Sequence, residues 1–337
     1  MRFLVLLLVL VSRLASGASA GSTLTPEQLG VVVNDAEPNS VEIAQYYMQA
    51  RQIPPKNLVH VSIPNRPHKI SSQQFSEIRQ QIEAQLEPQI QALLMVWTAP
   101  YAVECNSITS AFTLGFDAAQ CANTCAPGKP SRYFNSTSQH PYQDYGMRLS
   151  MLLPTESVEQ AKSLIDRGVL SAFRIQPASA YFVQTSDTPR NARAPFFPKS
   201  GTILQKQLDI KTMHANTLEN ADDIMFYQIG LPIVTNLDTL HFLPGALADH
   251  LTSFGGDLLG NTGQMSSLRW LEAGATASYG AVAEPCSHWQ KFPHPQVLLK
   301  AYLSGSTAVE AYWKSVAWPT EGLFIGEPLA APYNRAN

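Results

Sequence analysis

Residues 268–295, LRWLEAGATASYGAVAEPCSHWQKFPHP, place Glu284, Cys286, His288, Lys291 and His294 directly behind a run of small apolar residues. Cysteine with histidine is the pairing that a thiol hydrolase needs, a thiolate nucleophile with a base in hydrogen-bond reach. Cys286 and His288 alternate along the chain, so on an extended segment their side chains point the same way. His294 can reach in from the following loop. Catalytic Cys and His usually meet through the fold rather than as sequence neighbours, so a structural or disulfide-bonded Cys286 is the weightier reading. Glu284, His288 and His294, alone or with Asp249 and His250, supply N and O donors for a metal. Their spacing fits no metal motif, and neither a metal nor a cofactor is expected.

Other candidates are binding residues. Arg190 and Arg193, beside Asp187, have the chemistry to clamp a carboxylate or phosphate, although an internal ion pair satisfies the same pattern. Ser253 lies in T-S-F-G-G rather than G-x-S-x-G, which weakens it as an elbow nucleophile. Gly255, Gly256 and Gly260 lack the lysine of a phosphate loop. Trp270, Trp289, Tyr302, Tyr312, Trp313 and Trp318 crowd the last third of the chain. They read first as packing, and second as a platform on which a glycan or peptide would stack.

The elements that position these residues follow from the apolar runs. Residues 29–34, 57–63 and 90–98 read as strands. Between them lie two helices, one opened by Asn39-Ser40 and stopped at Pro54-Pro55, the other running from Ser71/Ser72 to Leu86. Strand–helix–strand–helix–strand at this spacing predicts right-handed βαβ units in a parallel sheet. Residues 100–147 break into Gly, Pro, Asn, Ser, Cys and Tyr, an irregular insertion that also carries the sequon Asn135-Ser136-Thr137. Beyond it, residues 148–153, 180–185 and 224–229 read as strands, and residues 157–168 as a helix with Gly168 as its stop. Residues 244–254 (PGALADHLTSF) read as a helix with Pro244 in its first turn, and 266–272 as another. Residues 275–283 read as a buried strand. Residues 295–303 and 307–313 read as surface helices, and residues 323–328 as a closing strand and turn.

The chain has 337 residues, with 23 Lys and Arg against 26 Asp and Glu. That near balance argues against a nucleic-acid partner, which favours a strongly basic face. Residues 1–20 read as a signal peptide: Met1-Arg2, an apolar run, then Ala18-Ser19-Ala20 at the cleavage site. No segment has the roughly 20 apolar residues of a spanning helix. The expected mature protein is secreted or periplasmic, one α/β domain over residues 21–337. Four cysteines in an oxidising compartment suggest two disulfides. The expected pairs are Cys121 with Cys125, across a C-x3-C loop, and Cys105 with Cys286, each following a buried strand. Glu284, Cys286, His288 and His294 are expected in one pocket near residues 98–105, since loops beyond the carboxyl ends of parallel strands share one edge.

Several blocks carry a resemblance, among them NSVEIAQYYMQARQIPPKNLVHVSIP, FLPGALADHLTSFGGDL and EAYWKSVAWPTEGLFIGEPLAAPY. They resemble a family of exported bacterial proteins with no assigned activity. More distantly, the order of parts is similar to the gingipain-type, caspase-like cysteine peptidases. Gly274-Ala275-Thr276-Ala277 is similar to that family's Gly-Ala strand, and Gly326-Glu327-Pro328 to its late Gly-Asp-Pro turn. The resemblance implies a three-layer α/β sandwich. It also implies that Tyr227-Gln228-Ile229-Gly230 stands where a Tyr-x-Gly-His-Gly segment would carry the catalytic histidine, and Thr252-Ser253-Phe254 where the cysteine would be. Neither residue is present. The first expectation is therefore a binding protein for a peptide, protein or glycan, with Gln228, Ser253, Asp249, His250, Glu284, Trp289, Arg190 and Arg193 around the site. The alternative is a hydrolase using Cys286 with His288 or His294.

Overall fold

The computed structural model describes residues 23–334. The expected signal peptide, residues 1–20, lies outside the described residues. Fourteen strands are present among the described residues: β1 (Leu29–Asn34), β2 (Leu58–Val61), β3 (Lys69–Ile70), β4 (Ala92–Val96), β5 (Ala102–Val103), β6 (Asn106–Ser107), β7 (Leu149–Leu153), β8 (Ala178–Gln184), β9 (Gly201–Ile203), β10 (Leu208–His214), β11 (Ala221–Gly230), β12 (Leu240–Leu251), β13 (Ala277–Ala281) and β14 (Gly322–Gly326). Eleven of them form one sheet, in the order β2-β1-β4-β7-β14-β13-β12-β11-β8-β10-β9. β1, β2, β4 and β7 run parallel to one another. So do β8, β10, β11, β12 and β13. Between the two groups stands β14, antiparallel to β13 and touching β7 at the pair Ile325–Leu152.

The strands at the centre are buried along their whole length, as in β4 (ALLMV) and β7 (LSMLL). Such continuous apolar runs are what a sheet covered on both faces requires. The helices are α1 (Pro38–Ala50), α2 (Ser72–Glu83), α3 (Ile108–Leu114), α4 (Ala118–Ala122), α5 (Pro141–Tyr145), α6 (Val158–Leu170), α7 (Leu268–Glu272), α8 (Pro295–Leu303) and α9 (Ala308–Ser315). α1 packs on α6, while α2 and α3 meet edge to face at Phe75 and Phe112. The chain steps from β1 outward to β2 and then back past it to β4. Right-handed connections in opposite lateral directions put α1 and α2 on opposite faces, so the α/β fold has three layers.

Four sequence expectations are corrected. Residues 244–251 are strand β12, not helix. The pairing of β11 with β12 shifts register after Ile224–Phe242 and resumes at Phe226–Leu247, so Pro244 sits in an irregularity, where a strand tolerates a residue without an N–H. Gly168 does not stop α6, which continues to Leu170. It lies inside the helix because a Cβ there would come within 2.3 Å of the Glu327 carboxylate. Asn39 and Ser40 fall inside α1, whose N-cap is Glu37 with Pro38 at its first position. Ser40 is buried, and its hydroxyl donates to the Val96 carbonyl and accepts from Asn34 N–H. Finally, α9 is no surface helix: all its residues are buried, covered by the insertion (Asn135 N–H to Lys314 O, 2.8 Å) and the C-terminal segment (Ala308 N–H to Ala330 O, 2.8 Å).

Candidate functional site

The connections that leave β4, β12 and β13 converge. Tyr101, just beyond β4, donates to Asp257, beyond β12, at 2.6 Å, and Gly256 N–H reaches the Ala281 carbonyl at the end of β13. The segment after β13 then meets the insertion. Glu284 Oε1 accepts from Cys286 N–H at 2.8 Å, which holds a turn where Cys286 and Ser287 both take left-handed φ, 57° and 53°. That turn carries the Cys286 sulfur to Cys125, with Cα atoms 5.2 Å apart. The neighbouring His288 Nε2 lies 3.0 Å from the Cys125 carbonyl.

The expected disulfide pairing is thereby overturned. Cys105 bonds Cys121, and Cys125 bonds Cys286. The C-x3-C segment is not one flexible loop. Asp117 caps the short helix α4 through Ala119 and Gln120 N–H, at 3.1 and 3.3 Å. Cys121 is held on that helix facing Cys105, and Cys125 emerges beyond its end toward Cys286. Among the described residues no cysteine is free.

His294 does not join Cys286. It stands among the rings of Phe196, Trp289 and Phe134, with centroids 4.7, 5.4 and 6.5 Å away, and Phe196 and Trp289 are themselves 4.9 Å apart. All four rings are half-buried. Its Nδ1 is buried without a hydrogen-bond partner, and burial lowers the pKa of the ring. Phe134 and Phe196 were missed by sequence reasoning; Phe134 lies in a loop and Phe196 ends a three-residue turn, both too short for a periodicity to mark a face.

Arg193 lies at the start of a short turn, Ala194–Phe196, and interacts electrostatically with His294. Its guanidinium donates to Asp249 Oδ1, to the Pro293 carbonyl at 3.3 Å and to the Ile229 carbonyl at 3.1 Å. Gln228, opposite Asp249 in the β11–β12 ladder, donates to Asp249 Oδ2 at 3.0 Å. Gln228 Oε1 is buried and unpartnered. Burial pushes the Asp249 carboxyl above its ordinary range, while Arg193 and Gln228 pull it back. Gln228, Asp249 and Arg193 are therefore brought together, as a buried ion pair buttressed by an amide rather than an open clamp. Arg190 is likewise engaged, with Asp187 at 2.8 Å and Thr252 at 3.3 Å.

His250 has no free nitrogen for base chemistry. Trp270 Nε1–H donates to its Nδ1 at 2.9 Å, so its Nε2–H is the donor to the Met265 carbonyl at 3.0 Å. A proton on Nδ1 would face another N–H, and burial pushes the pKa down to about 3. Ser253 is half-buried and makes no hydrogen bond to a described residue. Lys291 is buried against Glu321 at 2.7 Å, and Gln120 joins them, so it is a tie to the insertion. Among the described residues no three His, Cys, Asp or Glu side chains are grouped to hold a metal, because Glu284 and His288 face the insertion while Asp249 and His250 point into the core.

No protein-family model matches the chain. No curated protein matches it. Among solved structures it is similar to the Arg-specific cysteine proteinase gingipain R, with 11% identity and TM-score 0.46, covering 91% of this chain and 78% of that one. The complex of the Porphyromonas gingivalis RgpB pro- and mature domains gives 9% identity and TM-score 0.42, over 90% and 79%. A structure described as a protease gives 10% identity and TM-score 0.47, over 92% and 79%. The gingipain-type resemblance read from the Gly274 and Gly326 segments is met again here. So few identical residues transfer no chemistry.

Proposed function

We propose that this chain works outside the cytoplasm as a binding protein, taking a peptide, protein or glycan on the ring cluster of Phe134, Phe196, Trp289 and His294. One observation carries the reading: the Cys286 sulfur is bonded to Cys125. Beneath the rings, Arg193 and Asp249 neutralise each other, which leaves stacking faces with a polar edge, suited to sugars and extended peptides. Location outside the cytoplasm is supported by both disulfides and by the Ala18-Ser19-Ala20 pattern. Among the described residues no helix is long and apolar enough to cross a membrane.

The test pairs thiol counting with binding. Protein recovered from the exported fraction and denatured without reductant should show no alkylatable thiol. Trp289→Ala should lose at least tenfold in affinity for whichever array ligand the unaltered protein retains. A free Cys286 thiol, together with peptide hydrolysis that Cys286→Ala abolishes, would replace this reading with the hydrolase using His288 or His294.

A further inference from the structure

A second concave site lies beside the ring cluster, built from the next residues along the same two segments. Asn135 and Thr137 follow Phe134, and Lys300 belongs to α8, whose N-cap is His294. With Ser306, Glu310 and Lys314 they line a cavity of about 220 Å3. Two of these groups are unusual for a groove wall. Glu310 is 1% exposed and Lys314 is 7% exposed, and both project from one face of α9, four residues apart.

Oppositely charged residues at that spacing ordinarily close on each other. Among the described residues no ion pair joins these two. Glu310 Oε2 is taken up by Thr307 N–H and Oγ1, at 2.9 and 2.8 Å, and by Leu24 N–H at 3.4 Å. Its Oε1 accepts no hydrogen bond from a described residue. Among the described residues Lys314 Nζ makes one hydrogen bond, to Ser306 Oγ at 3.5 Å; it sits 5.2 Å from the centroid of the Tyr133 ring and feels the Glu310 charge without touching it. An ammonium carries three donors, and leaving a buried charge so poorly satisfied is costly. The same groove thus holds a buried acceptor and a buried donor of opposite charge, both with spare capacity, while Lys300 adds positive charge at the rim.

We propose that this cavity binds a small zwitterion of the amino-acid type, its carboxylate on Lys314 and its ammonium on Glu310 Oε1. The hydroxyl and amide groups of Ser306, Asn135 and Thr137 would serve polar side chains of such a ligand. The site is independent of the ring cluster, and its occupancy requires no activity at Cys286.

Titration calorimetry with L-serine, acetate and ethylamine as probes tests it on the full mature chain. L-serine should bind, and each singly charged probe should bind at least tenfold more weakly. Lys314→Met should lose L-serine and acetate binding, whereas Glu310→Gln, which keeps an acceptor for Thr307, should weaken L-serine tenfold and leave acetate unchanged. Lys300→Ala, on the exposed rim, guards against misfolding and should weaken L-serine about threefold at an unchanged melting temperature. No heat with L-serine, or equal affinity in all three variants, would overturn the proposal. Loss of glycan or peptide binding in Trp289→Ala with L-serine binding intact would show the two sites to be separate.

Discussion

Arg193 and Asp249 form an ion pair buried on both sides, with side chains 2% and 1% exposed. Charges so deep are tolerated only when each has its partner and further hydrogen bonds. Here Gln228, Pro293 and Ile229 supply those bonds.

Removing one partner should therefore be far worse than removing an ordinary surface charge. Asp249→Asn leaves Arg193 charged and uncompensated, and the expected loss is about 3–5 kcal/mol in urea unfolding. Asp187→Asn, at the part-exposed pair with Arg190, should cost less than about 1 kcal/mol. Equal losses would mean that the burial of Arg193 is not what the pair provides.

The two disulfides differ mainly in the loop they close. Cys125 and Cys286 are 161 residues apart, and Cys105 and Cys121 are 16 apart. In the chain-entropy picture the long closure stabilises by about 5 kcal/mol and the short one by about 3 kcal/mol. Cys286→Ser should lower the melting temperature more than Cys105→Ser. Peptide mapping should then find the new thiol on Cys125 in the first variant and on Cys121 in the second. A thiol on Cys105 in the first variant would restore the pairing expected from sequence.

His250 should make the fold acid-sensitive. Its folded pKa is about 3, below the roughly 6.5 of an unfolded histidine, so between those values the unfolded chain binds the extra proton. The stabilisation it confers is complete above about pH 6.5 and declines toward pH 3, by about 1.4 kcal/mol per pH unit within the window. Asp249, Glu37 and Glu321 are raised by burial and act with the opposite sign, so the comparison must be with a variant. His250→Asn should be less stable at pH 7 and show a shallower fall between pH 6 and 4. An unchanged slope would mean that the ring is protonated in the folded state.

The first half of the fold was legible because each element there has one environment. Runs such as ALLMV in β4 are buried throughout, and Ser71 with Gln74 marks the start of α2 by a capping box. Legibility fails where partners distant in sequence decide. PGALADHL has helical spacing only because Asp249 and His250 interrupt the apolar run, and both are buried by partners on other elements, Arg193 and Trp270. The candidate site divided in the same way. Cys286 and His294 were visible as residue types, but which sulfur meets Cys286 depends on α4, and two of the three rings around His294, Phe134 and Phe196, come from segments remote in sequence.

The position of β14 has a consequence for how the molecule is made. The last strand among the described residues, Gly322–Gly326, lies not at an edge but between β7 and β13. Until it emerges, the chain holds two separate parallel sheets whose inner edges are bare, each a template for unwanted pairing. Synthesis of residues 322–326 is then the event that joins them. A chain released before Gly322 is two sheets with an open seam between them, so β14 acts as a clasp that closes only after both halves have been made.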